Sequence, residues 1–456
     1  MISLRNPCAG PRPAHFFHRM RGIAAGLTLA AAPLAATPAL AAAAPQIAPA
    51  GGMAVTDFYN ARKGAPLWFA PSSGNAAGAL IDLLKSADAD DLAPDRYGVA
   101  ALEAARAETF SGKRKAIARA DAMFSQAFAA YVIDLKQQPN LGIIYVDGQL
   151  RPALPTSRAI LEQAAAAPSL DAYVRTMGWM NPIYGQLRQA VVDHRYANDH
   201  ERELLELNIE RARALPAGKG RFVLVNAAEQ RLYMWDNRQP IDSMRVVVGK
   251  PKNPTPLMAA YIRFAALNPY WYVPPDLAAE RIAPKVLKQG LKYLDELGYE
   301  VMSDWTKSAS IVDPKTVDWK GVAAGTVEVM IRQKPGPHNS MGRIKFMFPN
   351  DAGVYLHDNP ERELFEQAAR LYSGGCVRLE DAWRLSQWLF HRELTWEGAG
   401  TEEPVPLSPP VPVYITYLTA MPSGSTIAYF DDVYGRDKAK MASLGGGAEP
   451  GAAAAR

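Results

Sequence analysis

The residues of this 456-residue chain best suited to chemistry lie between Tyr355 and Arg378, in the stretch YLHDNPERELFEQAARLYSGGCVR. His357 ends an apolar run of strand character, Val354-Tyr355-Leu356. Further on, Cys376 follows Ser373-Gly374-Gly375 and precedes Val377-Arg378. Glycines let the backbone turn sharply and let a substrate approach its N–H groups. A helix is expected over Leu379 to Phe390, and the positive end of a helix favours thiolate over thiol. The pattern predicts a cysteine nucleophile, an oxyanion hole from the N–H groups of Gly375 and Cys376, and His357 as the base. Arg378 has two readings, a planar fork for a substrate carboxylate or an ion pair that holds the loop. The competing account is a buried structural cysteine beside a satisfied core histidine.

Such a pair needs a rigid frame. From Arg221 onward the apolar residues recur with period two, over Phe222–Asn226, Arg231–Trp235 and Arg245–Gly249. Val327, Val329 and Ile331 alternate with polar neighbours as a further strand, and Val413–Leu418 and Ile427–Phe430 are expected to complete packed sheets. Asp276 to Thr326 interrupts this pattern with helical and mixed polar segments. Ala283, Val286, Leu287, Leu291 and Leu294 fall on or near one face there and need a surface to cover them. Val55 to about Asn208 reads as helical instead. Leu80, Ile81 and Leu84 share one face, and Met123, Phe124, Phe128, Tyr131 and Leu135 share another. Tyr59, Leu67 and Trp68 are expected in that core rather than on a sugar-stacking surface. The fold class is therefore α+β, a helical domain followed by a β-rich one.

The first 41 residues read as a secretory signal. Arg5, Arg12, Arg19 and Arg21 form an acid-free basic start, Gly22 to Ala36 is apolar, and Ala39-Leu40-Ala41 supplies small residues for cleavage. An uncleaved anchor is the alternative, but so short an apolar run spans a bilayer poorly. Removing four arginines takes the formal charge from +4 to zero, which leaves no electrostatic case for nucleic acid. Cys8 leaves with the signal, so one of the two cysteines, Cys376, remains. A lone thiol in an exported protein makes no internal disulfide and is exposed to oxidation, which argues for a chemical role. The histidines left, His194, His200, His338, His357 and His391, do not stand at metal-ligand spacing, and no metal or cofactor is expected. The Gly-x-Ser-x-Gly of serine hydrolases is missing from the mature chain.

HDNP followed by SGGCVR resembles the signature of the L,D-transpeptidases, the YkuD-like cysteine enzymes of bacterial cell walls. Their motif has Ser-His-Gly-Cys-x-Arg, and Gly374 stands here at the place of its histidine. GKPKNPTP (Gly249 to Pro256), NPYWYVPP (Asn268 to Pro275) and RQKPGPHNSMGRIKFMFPN (Arg332 to Asn350) resemble the larger YcbB-type branch. After the signal peptide over 1–41, the Ala/Pro/Gly-rich composition marks a linker over 42–54; the resemblance implies a helical scaffold over 55–207 and a catalytic domain over 208–437. It also implies that 276–326 caps the active site, a merely tolerated surface insertion being the alternative, and that 438–456 is a disordered tail. There is no room for the small peptidoglycan-binding module that the branch commonly carries. The expected activity is periplasmic 3-3 cross-linking of peptidoglycan stem peptides through a thioester. Cys376 and His357 are the expected catalytic residues; Gly375, Gly374, Ser373, Arg378 and Tyr355 are expected to contact the oxyanion or substrate. The rivals are another cysteine acyl enzyme, such as a papain-like peptidase or an amidase, and an inactive wall-binding homologue.

Overall fold

The computed structural model describes residues 52–137, 140–306, 308–395 and 402–445. The expected signal peptide and most of the linker lie outside the described residues; the last part of that linker already belongs to a helix, Gly52–Ala61.

The N-terminal region is helical because its apolar residues recur at helical spacing and find one another. The long helix Arg114–Lys136 runs through its centre, with Phe124, Phe128, Tyr131 and Leu135 fully buried. Two buried carboxylates tie the surrounding loops to it. Asp121 accepts from the backbone amides of Leu67, Trp68 and Phe69 at 2.7, 2.7 and 3.1 Å. Asp90 accepts from Arg188 Nε at 2.8 Å on both oxygens and from the hydroxyls of Tyr131 and Tyr184. Leu67 and Trp68 are buried core residues.

The following strands are β1 (Ile144–Tyr145), β2 (Phe222–Asn226), β3 (Arg231–Asp236), β4 (Gln239–Gly249), β5 (Met258–Leu267), β6 (Trp271–Val273), β7 (Tyr299–Met302) and β8 (Met330–Gln333). Then come β9 (Ile344–Met347), β10 (Leu356–His357), β11 (Leu371–Ser373), β12 (Val377–Leu379), β13 (Glu403–Thr416), β14 (Ala420–Ser423) and β15 (Thr426–Tyr429). The main sheet runs β1-β5-β13-β2-β3-β4-β12-β10-β9, and β9 pairs with β5 as well. The path from β5 round to β9 therefore closes on itself, a ring rather than the stacked sheets expected, and closure removes exposed strand edges. Val223, Val225, Val246, Val248, Ile344, Phe346, Leu356 and Val377 are among the residues filling its core.

Three expectations about the elements change. The strand at Val327–Ile331 is shifted to β8 and belongs to a separate antiparallel sheet, β6-β8-β7. The inserted unit thus reaches from Trp271 to Gln333, beyond the expected 276–326, because its helices bury against the flanking strands. Ala283, Val286 and Leu294 pack on Trp271, Val301, Trp319, Val322 and Ile331, while Leu287 stays 49% exposed. The face expected to need the cleft for cover is covered inside its own small core. Second, β15 pairs with β14 alone and leans on the helical region. Third, the expected tail begins as a helix, Arg436–Gly445, where buried Asp437 pairs with Arg211 at 2.6 Å; the rest of that tail lies outside the described residues.

The two regions share a joint. Helix Asp199–Ala212 exchanges two hydrogen bonds with the link between β13 and β14, Asn208 Nδ2 to Thr419 Oγ1 at 2.9 Å and Thr419 N to Asn208 Oδ1 at 2.8 Å. Phe222, Leu224, Trp235, Leu418, Ala420 and Met421 sit in the same core as the helices.

Candidate active site

Strands β10 and β12 are parallel neighbours, with Leu356 opposite Val377 and His357 opposite Arg378. The chain between them crosses through a short helical turn, Arg362–Glu366, and β11, which pairs with β4. This crossover is what sets the histidine strand beside the cysteine turn. The Val377 amide donates to the carbonyl of Tyr355 at 2.9 Å, so Cys376 lies just ahead of the point where the two strands join.

Cys376 is half-buried, is not in a disulfide, and directs its Sγ to the carbonyl of Gly353 at 3.5 Å. It does not start a helix. Val377–Leu379 form β12, and the helix begins at Ala382, where the Asp381 side chain accepts from Arg384 N at 3.0 Å. β-Branched Val377 and the register with Val247 and Val246 of β4 draw these residues into the sheet. The expected help of a helix terminus to the thiolate is therefore absent at Cys376.

The turn is held by hydroxyls. Ser373 Oγ accepts from the Gly375 amide at 3.1 Å and donates to the carbonyl of Cys376 at 2.6 Å. The Gly375 N–H expected to face an oxyanion is thus engaged within the turn. Gly375 has φ +124°, a conformation that side chains disfavour. Thr255, fully buried, donates from Oγ1 to the carbonyl of Gly375 at 2.9 Å and accepts from the Gly249 amide at 2.9 Å. In a trans peptide the C=O and N–H point in opposite directions. Holding the Gly375 carbonyl therefore fixes the direction of the Cys376 N–H. Tyr434 continues the buttress, its hydroxyl donating to the carbonyl of Gly249 at 2.7 Å.

His357 is 2% exposed, and its Nδ1 pairs with the backbone carbonyl of Asp358 at 2.6 Å. The Asp358 side chain faces away and accepts from the Arg343 amide at 2.9 Å. Its carboxyl lies where Gly342 has no side chain; a Cβ there would meet it at 2.4 to 2.5 Å. Burial, the Arg378 guanidinium and the Lys345 ammonium push the imidazole down to about 3, against the weaker pull of the Asp358 and Met341 carbonyls. Burial and the two cations thus favour the neutral imidazole over the imidazolium.

Cys376, His357, Arg378, Ser373, Gly374 and Tyr355 line one cleft of about 370 Å³, while Gly375 is buried behind it. Arg378 is committed to structure, donating to Glu361 at 2.6 Å and to Asn359 at 3.2 Å. Burial lowers its pKa, and Glu361 counters that. Trp271, Tyr272, Leu277, Arg281 and Trp305 of the inserted unit complete the cleft. Leu277 stands 3.4 Å from where a Cβ on Gly374 would lie. His338 is exposed on its loop, and His391 meets Arg221 at 2.6 Å after the helix. No cluster of three metal-ligating side chains occurs among the described residues. Thr255, Trp305 and Tyr272 went unnoticed as cleft or turn residues. Thr255 lay in plain view in GKPKNPTP, but nothing local says what a threonine there holds.

The L,D-transpeptidase catalytic domain (YkuD) family matches residues 220–413, and the Scaffold domain family matches residues 53–191. The chain carries the catalytic domain of the YkuD-type L,D-transpeptidases. Its helical region is the scaffold domain, so the transpeptidase has the architecture of the YcbB-type branch and acts on peptidoglycan. A Haemophilus influenzae protein named "Putative L,D-transpeptidase" is 26% identical to the transpeptidase over 401 residues, 84% of this chain and 77% of that one. A solved structure, the Ldtfm–avibactam carbamoyl enzyme, is 13% identical over 52% of this chain and 85% of its own, with a TM-score of 0.21. No helix among the described residues of the transpeptidase is long and apolar enough to cross a membrane.

Proposed function

We propose that the enzyme is exported to the periplasm and makes 3-3 cross-links between stem peptides. The observation that carries this reading is the parallel pairing of β10 with β12, which sets a neutral, buried His357 in the same cleft as the Cys376 thiol. His357 takes the thiol proton as sulfur attacks the carbonyl of the L-centre of diaminopimelate at position three of a donor stem. The C–S bond forms, the C–N bond to the terminal D-alanine breaks, and the proton goes to the leaving amine. An acceptor amine from a second stem then forms a C–N bond, the C–S bond breaks, and the proton returns to sulfur. With imidazolium disfavoured by its surroundings, proton transfer is concerted with attack rather than completed in a resting ion pair.

The Cys376 N–H, aimed by Thr255 and Ser373, serves the oxyanion. Arg378 braces the loop through Glu361 and gives the cleft a positive wall. Tyr355 and Gly374 border the bound stem. The inserted unit covers the donor and keeps water from the thioester. Intact-protein mass spectrometry with a carbapenem tests the nucleophile: an adduct is expected on the parent and none on Cys376→Ala. Muropeptide analysis of digested sacculi tests the product. A normal adduct on the alanine variant, or no 3-3 linkage from the parent, overturns the reading.

A further inference from the structure

Away from the catalytic cleft, where the scaffold meets the barrel, lies a cavity of about 550 Å³. Its walls include Lys136, Gln137, Asn140, Tyr145, Arg151 and Leu154. Lys136 comes from the last turn of the long scaffold helix, and Tyr145 from β1, which pairs with Met258 and Ala259 at the margin of the catalytic sheet. The described lining residues all come from one stretch of the scaffold region, 136–154, whose strand β1 joins the catalytic sheet.

Its charge is one-sided. None of the described lining residues is acidic. Among the described residues Lys136 has neither an ion-pair partner nor a hydrogen-bond acceptor, although it is half-buried. Burial and the Arg238 guanidinium push it down to about 8, with no carboxylate opposing them. Arg238 itself donates to two backbone carbonyls, those of Ala217 and Met180. Arg151 lies with its guanidinium 4.9 Å from the centre of the Tyr145 ring. A lysine at a helix C-terminus is explained by the helix dipole. That does not explain a second cation on the same cavity with no carboxylate between them. A half-buried, uncompensated ammonium is costly unless an anion joins it.

The remaining walls say what the anion is attached to. Tyr145 offers an aromatic face and Leu154, 57% exposed, an aliphatic one, while Gln137 and Asn140 bring amides. Apolar faces with convergent donors suit a ligand of mixed character, and the volume falls within the usual range of about 300–1,000 Å³ for ligand sites. We propose that this cavity is a second, non-catalytic site that binds a carboxylate-bearing saccharide–peptide of the wall, with Lys136 and Arg151 holding the carboxylate. The proposal rests on the peptidoglycan substrate inferred above.

Co-sedimentation of the full-length protein with purified sacculi tests it, comparing the parent with Lys136→Gln/Arg151→Gln. Two lost charge-assisted contacts should weaken binding by about tenfold or more. Carbapenem acylation of Cys376 should keep its rate, since the cleft is elsewhere. Lys136→Arg/Arg151→Lys should retain binding. If the double variant fails to acylate, Arg151→Gln alone, on an exposed side chain, carries the test and should still weaken binding several-fold. A soluble disaccharide–tetrapeptide should compete with sacculi, and its carboxyl-amidated form should not. Unchanged binding by the variants overturns the proposal. So does inorganic phosphate competing as well as the muropeptide, which would mark a general anion site. A parent that binds sacculi through these residues but forms no 3-3 linkage would sink the catalytic reading and leave this site standing.

Discussion

Substituting His357 by glutamine should change how the protein responds to acid, and by a calculable amount. The imidazole titrates near 6.5 in an unfolded chain and is held down to about 3 in the native one. Between those values the unfolded state binds a proton that the native state refuses, so stability falls as pH falls. The contribution is fully present above 6.5, is lost progressively through the window, and levels off below 3. Linkage over that window gives a loss of about 2–3 kcal/mol between pH 6 and pH 4 from this one side chain. His357→Gln removes the titration and keeps a side chain able to meet the Asp358 carbonyl. Equilibrium urea unfolding of both proteins at pH 6, 5 and 4 isolates the term, because the other carboxylates and histidines are common to both. The parent's advantage over the variant should shrink by about 2–3 kcal/mol on going from pH 6 to 4. A difference that stays constant across this range would refute the claim that burial and Arg378 keep the ring neutral.

The same neutrality predicts a flat acid limb: carbapenem acylation of the parent, followed by stopped flow, should vary little between pH 7 and pH 5. A tenfold drop centred near 6.5 would mean that His357 titrates normally. Thr255→Val removes the hold on the Gly375 carbonyl at nearly constant volume and should slow acylation by about 10–100-fold. Thr255→Ser should recover most of the rate; equal rates in all three would show that Thr255 does not aim the Cys376 amide. Gly375→Ala forces a side chain into φ +124° at a cost of about 1–3 kcal/mol. It should lower both the unfolding temperature and the acylation rate, and an unperturbed variant would mean that the turn relaxes freely. Gly342→Ala should displace Asp358, whose side chain lies within 2.5 Å of the added Cβ, and slow acylation without touching the cleft.

Much of the frame was legible because it follows from periodicity. The stripe on Arg114–Lys136 and the alternation over Phe222–Asn226 and Arg231–Asp236 need only a count of apolar residues, and the elements formed where the count put them. What stayed hidden depended on partners distant in sequence. Val377–Leu379 reads equally well as the start of a helix until β4 and β10 are present to claim it as a strand. The apolar face around Val286 and Leu294 was visible, but its cover came from Trp271 and Ile331 on either side of the insertion. The cysteine turn shows the same limit: two glycines announce flexibility, and only Ser373 and Thr255 say which amide is spent and which direction remains. Polar contacts of this kind carry no period and leave no pattern to count.

The core shared by scaffold and catalytic domain bears on the order in which the protein can be completed. A chain that emerges from its N-terminus presents the scaffold helices first, yet their apolar surface is finished only by Leu418, Ala420 and Met421. Asn208 waits for Thr419, more than two hundred residues later, and Arg211 for Asp437. Until those arrive, the helices expose an apolar seam to proteases and to other chains. The last segment to appear is also the one that braces the cysteine turn, through Tyr434 and Gly249. Closing the seam and finishing the support of the cysteine turn are therefore one late event. A chain truncated before residue 418 would lack both together, so an unfinished molecule would not carry a fully supported thiol.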